Sequence, residues 1–154
     1  MPHSLRPVTI LVADDDADDR QLILEAFQEA KLANDLRFVE DGVELMDYLL
    51  RQGRYAQPAD SPRPGIILLD LNMPRMDGRE ALERIKGVPS LRAIRVIIMT
   101  TSKAEQDIIK SYNLSASSYI TKPVTFEALV DVVRTIGKYW LEIVELPPEE
   151  AGAT

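Results

Sequence analysis

Two adjacent aspartates and a third further along are the residues best placed to do chemistry. Asp14 and Asp15 follow the apolar, β-branched run Val8 to Ala13, and Asp70 follows the unbroken run Ile66 to Leu69. A carboxylate does not sit in an apolar layer without a partner, so each of these acids must open onto a polar crevice. Side-by-side carboxylates repel one another unless a cation holds them. Asp16, Asp18 and Asp19 crowd the same stretch. An acid at a helix N-cap or in its first turn is stabilised by about 0.3–1 kcal/mol, and that accounts for these three, which are assigned to capping and solvent. Asp14 and Asp15 are left as metal ligands. Three carboxylates alone would raise one another's pKa, so a site formed by Asp14, Asp15 and Asp70 calls for a divalent cation. Few, hard oxygen ligands with room for water favour Mg²⁺ over a calcium cage. Thr100 and Lys122 each close a further apolar run and bring a hydroxyl and an ammonium to the same kind of position.

The elements that must position these residues follow from pattern. Ile66 to Asp70 lies between Pro64-Gly65 and Pro74, too short for a helix and without alternation, as a strand buried on both faces should be. Val8 to Ala13, Leu36 to Val39, Arg95 to Met99 and Ser118 to Ile120 supply four more strands. Helical spacing recurs between them, with Leu22, Ile23, Ala26, Phe27 and Ala30 in the first helix. Leu45, Met46, Leu49 and Leu50 mark the second, and Ala81, Leu82 and Ile85 the third. A weaker fourth runs around Ile108, Ile109 and Tyr112. The last starts after Thr125, with Phe126, Leu129, Val133 and Ile136 on one face, and continues until Pro147-Pro148. Arg51 to Gly65 has no periodicity and reads as a long surface loop. Five strands alternating with five helices predict a doubly wound parallel sheet in the flavodoxin-like order 2-1-3-4-5. The crevice at its topological switch point opens between the first and third strands, where Asp14, Asp15 and Asp70 would meet.

Composition narrows the function classes. With 154 residues and 45% hydrophobic content the chain fits one domain. It has no cysteine, hence no disulfide framework and no thiolate metal site. A net charge of −7 without a basic cluster argues against nucleic acid as a partner. No stretch is long and apolar enough for a membrane span, and Met1 to Pro7 lacks the core of a signal peptide, so a cytoplasmic protein is expected.

The set Asp14-Asp15, Asp70, Thr100 and Lys122-Pro123, at the ends of four strands in this order, resembles the receiver domain of response regulators. The resemblance covers roughly Thr9 to Tyr139, with a helical extension over 140–148. It implies that Asp70 takes a phosphoryl group from a phosphohistidine on a sensor histidine kinase. Asp15, Asp70 and the backbone carbonyl of Asn72 would ligate Mg²⁺, with Asp14 acting through water. Lys122 would pair with the phosphoryl group, across a cis Lys122-Pro123 bond. Tyr119 matches the aromatic switch that follows the threonine; an aromatic half-buried on an edge strand fits it equally well. By the same resemblance Asn72 and Ser102 set the lifetime of the phosphoryl group, and neither is suited to orient water strongly. The stretches T-T-S-K-A-E-x-D-I from Thr100, Y-I-T-K-P-V from Tyr119 and W-L-x-I-V-x-L-P-P from Trp140 look like the single-domain regulators paired with bacterial and cyanobacterial phytochromes, which makes a phytochrome the expected kinase.

Rival classes fit less well. A dehalogenase-type phosphatase needs a second acid where this chain has Asn72, and a dinucleotide fold needs glycines where it has D-D-D-A-D-D. A receiver-like docking module that takes no phosphate remains, although acceptor, acid pair and lysine are all present. The chain ends soon after the last helix, so signalling by association is expected. The apolar series past the sheet edge, Tyr139, Trp140, Ile143 and Val144, predicts a homodimer about a two-fold axis, unless that tail folds back on its own domain.

Overall fold

The computed structural model describes residues 8–100 and 118–138. Five strands, β1 (Ile10–Ala13), β2 (Leu36–Val39), β3 (Ile66–Asp70), β4 (Arg95–Thr100) and β5 (Ser118–Thr121), pair in parallel in the order β2-β1-β3-β4-β5. Among the described residues four α-helices accompany them: α1 (Ala17–Glu29), α2 (Gly42–Leu50), α3 (Gly78–Gly87) and α4 (Phe126–Ile136). The expected helix around Ile108 to Tyr112 and the extension with Tyr139, Trp140, Ile143 and Val144 lie outside the described residues.

The pleat divides the apolar strands between two cores. Ile10, Val12, Ile66, Leu68, Ile97 and Met99 pack with Ile23 and Phe27 of α1 and Leu129, Val133 and Ile136 of α4. Leu11, Ile67, Leu69, Val96 and Ile98 face the other way, onto Leu45 of α2 and Leu82 and Ile85 of α3. A strand sandwiched like this has no solvent face, which explains the uninterrupted apolar run of β3. Each of its four aliphatic side chains is removed from water almost completely, worth about 1.5–3 kcal/mol apiece.

Three expectations need correction. Leu50, expected on the buried side of the second helix, is 41% exposed, whereas Tyr48, three residues after Leu45, is buried and donates its hydroxyl to the Pro62 carbonyl at 2.7 Å. Helical geometry puts i and i+3 on one face, and Leu50 is the last residue of α2. The long loop is not merely a surface loop: Tyr55 and Ser61 are buried in it, two short 3₁₀ turns shape it, and the Tyr55 ring tilts against Tyr48 at 5.1 Å. Lys122-Pro123 is trans, as there is no cis peptide bond among the described residues; trans is the lower isomer by about 0.5–1 kcal/mol even before proline.

The turn before each helix is set by an aspartate or threonine. Asp16 caps α1 by accepting the Asp18 and Asp19 amides, Asp77 caps α3 through Glu80, and Thr125 caps α4 through Ala128. These caps fix where each helix starts after its strand: three residues intervene after β1, seven after β3 and four after β5.

Candidate functional site

β1 and β3 are neighbours, and Ala13 pairs with Leu69. The register therefore brings the next residues, Asp14 and Asp70, to the same point of the carboxyl edge. Carboxylate oxygens of Asp14, Asp15 and Asp70 lie within 4.8 Å of one another. Asp14 and Asp70 are buried and Asp15 is exposed. Each buried acid is held by the backbone two residues on: the Asp16 N–H donates to Asp14 Oδ1 at 2.9 Å, and the Asn72 N–H to Asp70 Oδ1 at 3.1 Å.

Lys122 reaches into this group from the end of β5. Its Nζ donates to Asp70 Oδ2 at 3.1 Å, to Asp14 Oδ2 at 3.3 Å and to Asp19 Oδ2 at 2.9 Å. The strand end that carries it is tied to β4, where the Lys122 N–H donates to the Thr100 carbonyl at 2.6 Å. Thr100 is completely buried as the last residue of β4. Tyr119 is half-buried and packs against the core that includes α2 and α3. Burial raises its phenol pKa.

The charges do not balance. Burial pushes Asp14 up to about 6, although the Asp16 amide and the Lys122 ammonium act to lower it. Asp70 is likewise raised by burial against the opposing pull of Lys122 and the Asn72 amide. Burial alone would lower Lys122, yet Asp19, Asp70 and Asp14 together hold it above its usual value. The lysine is thus fully satisfied while the buried acids are not, because one ammonium is shared among several carboxylates. A divalent cation placed between Asp14, Asp15 and Asp70 would supply the missing charge, and all-oxygen donors suit a hard dication.

Sequence reasoning located Asp14, Asp15, Asp70, Thr100 and Lys122 at this edge. It missed Asp19, assigned to capping and solvent, whose carboxylate makes the shortest of the three Lys122 contacts. The first turn of α1 presents Asp19 toward β5 because Asp16 begins the helix there. Helical phase was the available signal; the partner, on a strand distant in sequence, was not.

A doubly wound sheet with this acidic carboxyl edge defines a class, and the chain belongs to it: residues 10–134 match the family model of the response regulator receiver domain. Its similarity extends to particular members. The chain is 41% identical over 141 residues to the response regulator Rcp1 of Synechocystis sp., covering 92% of this chain and 94% of that protein. The phosphorylated cyanobacterial phytochrome response regulator RcpA superimposes with a TM-score of 0.82 at 39% identity, over 92% of this chain and 99% of that one. The Mn²⁺-bound form of Rcp1 gives a TM-score of 0.80, over 92% of this chain and all of that one.

Proposed function

We propose that this chain is a single-domain response regulator that accepts a phosphoryl group on Asp70 from a phosphohistidine of a sensor histidine kinase. The observation that carries this reading is the shared ammonium: Lys122 Nζ stands 3.1 Å from Asp70 Oδ2 in a group of buried, incompletely neutralised acids. Phosphoryl transfer to a carboxylate demands charge neutralisation and positioning above all. An Asp70 oxygen bonds to phosphorus as the phosphorus–nitrogen bond to the kinase histidine breaks, giving an acyl phosphate. Asp15, Asp70 and the Asn72 carbonyl, with Asp14 through water, would hold Mg²⁺, which would supply charge neutralisation for the anionic donor. Lys122 then exchanges its carboxylate partners for a phosphoryl oxygen. The Thr100 hydroxyl donates to another, and its shift toward the phosphoryl group lets Tyr119 follow.

A phytochrome is the favoured kinase, supported by the similarity to the cyanobacterial phytochrome response regulator RcpA rather than by any contact surface. The signal leaves by association, through a homodimer in which Tyr139, Trp140, Ile143 and Val144 take part, and the protein works in the cytoplasm. Asn72 and Ser102 offer no strong base to an attacking water, so the acyl phosphate outlasts that of chemotaxis-type receivers.

Incubation with acetyl phosphate and Mg²⁺ tests the reading without a kinase. Wild type should take up one base-labile phosphoryl group and Asp70→Asn none. Failure of the folded wild type to incorporate any, from acetyl phosphate or from a histidine kinase, leaves the docking module as the better description.

A further inference from the structure

We infer that Asp41 and Arg75 form a clasp that positions the loop carrying Asn72, and so act as positioning residues for the metal site. The inference rests on the metal ligation proposed above. The loop between β3 and α3, residues 71–77, holds the Asn72 carbonyl assigned to the cation. Its amino-terminal side is closed by the Gly78 N–H on the Leu71 carbonyl at 2.9 Å. At its far side Arg75 Nε donates to Asp41 Oδ2 at 2.9 Å and Arg75 Nη2 to Asp41 Oδ1 at 3.1 Å, a two-point fork. Beside it the Gly42 N–H donates to the Met76 carbonyl at 3.0 Å.

Arg75 is exposed and Asp41 is not, and three features bear on how the pair holds the loop. Asp41 is buried, and the same carboxylate caps α2 through the Glu44 amide at 2.8 Å, so it cannot swing with its partner. Arg75 has a φ of 66°, a left-handed backbone that glycine or asparagine would adopt with less strain. Gly42 lies so close to the loop that a Cβ would stand 2.3 Å from the Met76 carbonyl oxygen. Leu71, Met73 and Met76 are buried and fix the depth of the loop, but apolar burial is not directional. The fork is directional, and it fixes where along the edge the loop sits.

Arg75→Gly keeps the backbone conformation and removes the guanidinium; Arg75→Lys keeps the charge and removes the fork. Mg²⁺ affinity of the unphosphorylated protein is read by calorimetry, with the thermal midpoint measured in chelator. Arg75→Gly should loosen Mg²⁺ at least fivefold, with Arg75→Lys in between, while the midpoint in chelator changes little. Loss of a positive charge alone would tighten a cation, so loosening runs against simple electrostatics. Dissociation constants within twofold of wild type for both variants, whatever their midpoints, would overturn the inference, as would a wild type that binds no Mg²⁺ at millimolar concentration. Should Arg75→Gly not fold, Arg75→Lys decides alone. Because no phosphoryl donor is present, a failed phosphotransfer reading and a failed clasp give different results.

Discussion

Replacing Asp14 by asparagine should stabilise the metal-free protein at alkaline pH while weakening its hold on a cation. Asp14 is 2% exposed, and its pKa stands at about 6 instead of 3.8. Between those two values the folded chain binds more protons than the unfolded one, so wild-type stability falls as pH rises through that window and is level above it. The loss, worked from the shift, is about 3 kcal/mol at pH 8 and about 0.5 kcal/mol at pH 4. Asparagine keeps an Oδ1 acceptor for the Asp16 amide and removes the charge. Local relaxation will reduce the gain, so about 1–3 kcal/mol is expected at pH 8, a rise of roughly 3–10 °C in the midpoint for a chain this size. Thermal or urea unfolding of both proteins in chelator at pH 8 and pH 4 measures it. Equal or lower stability of Asp14→Asn at pH 8, or a gain as large at pH 4 as at pH 8, would refute the reasoning.

Other perturbations follow from the same geometry. Asp19→Asn frees Lys122 from its shortest contact and removes a negative charge that repels the donor, so acetyl phosphate should label it about two- to fivefold faster, as expected for loss of one nearby like charge; unchanged or slower labelling counts against a competitive role. Gly78→Ala would set a Cβ 2.6 Å from the Asp70 carbonyl oxygen and 2.7 Å from Leu71 Cα, both backbone atoms, and should cost about 1–3 kcal/mol in urea unfolding. A chain ending at Lys138 should sediment as a monomer at tens of micromolar where the full chain is a dimer; two monomers, with and without phosphorylation, would remove the dimer from the account.

Most of the fold was legible because parallel strands carry their own label. β3 was read as it stands, Ile66 to Asp70, since a strand covered on both faces has no polar positions to blur it. The acids at its end and after β1 were legible for the converse reason: a charge that terminates an apolar run has few explanations. What escaped depended on pairings distant in sequence. Asp19 looked like helix-start chemistry, although it also holds Lys122, and no local pattern reveals that Asp41 holds Arg75. The loop after α2 was read as structureless because Tyr55 and Ser61 are buried without period; they answer to Tyr48 and to the loop's own carbonyls. Leu50 was placed on the buried side by its spacing, four residues after buried Met46, but it is the last residue of α2 and stands exposed there.

The central claim is that a single carboxylate, that of Asp70, becomes the acyl phosphate. Borohydride reduction tests it most directly, because it converts a phosphorylated aspartate to homoserine and leaves free aspartate untouched. The protein should be phosphorylated by a histidine kinase in Mg²⁺, reduced, digested and sequenced by mass spectrometry. The account predicts homoserine at position 70 and at no other aspartate, with the product lost when Mg²⁺ is chelated before transfer. Homoserine at Asp14, Asp15 or Asp19, or a labelled protein whose Asp70 remains aspartate, would contradict it.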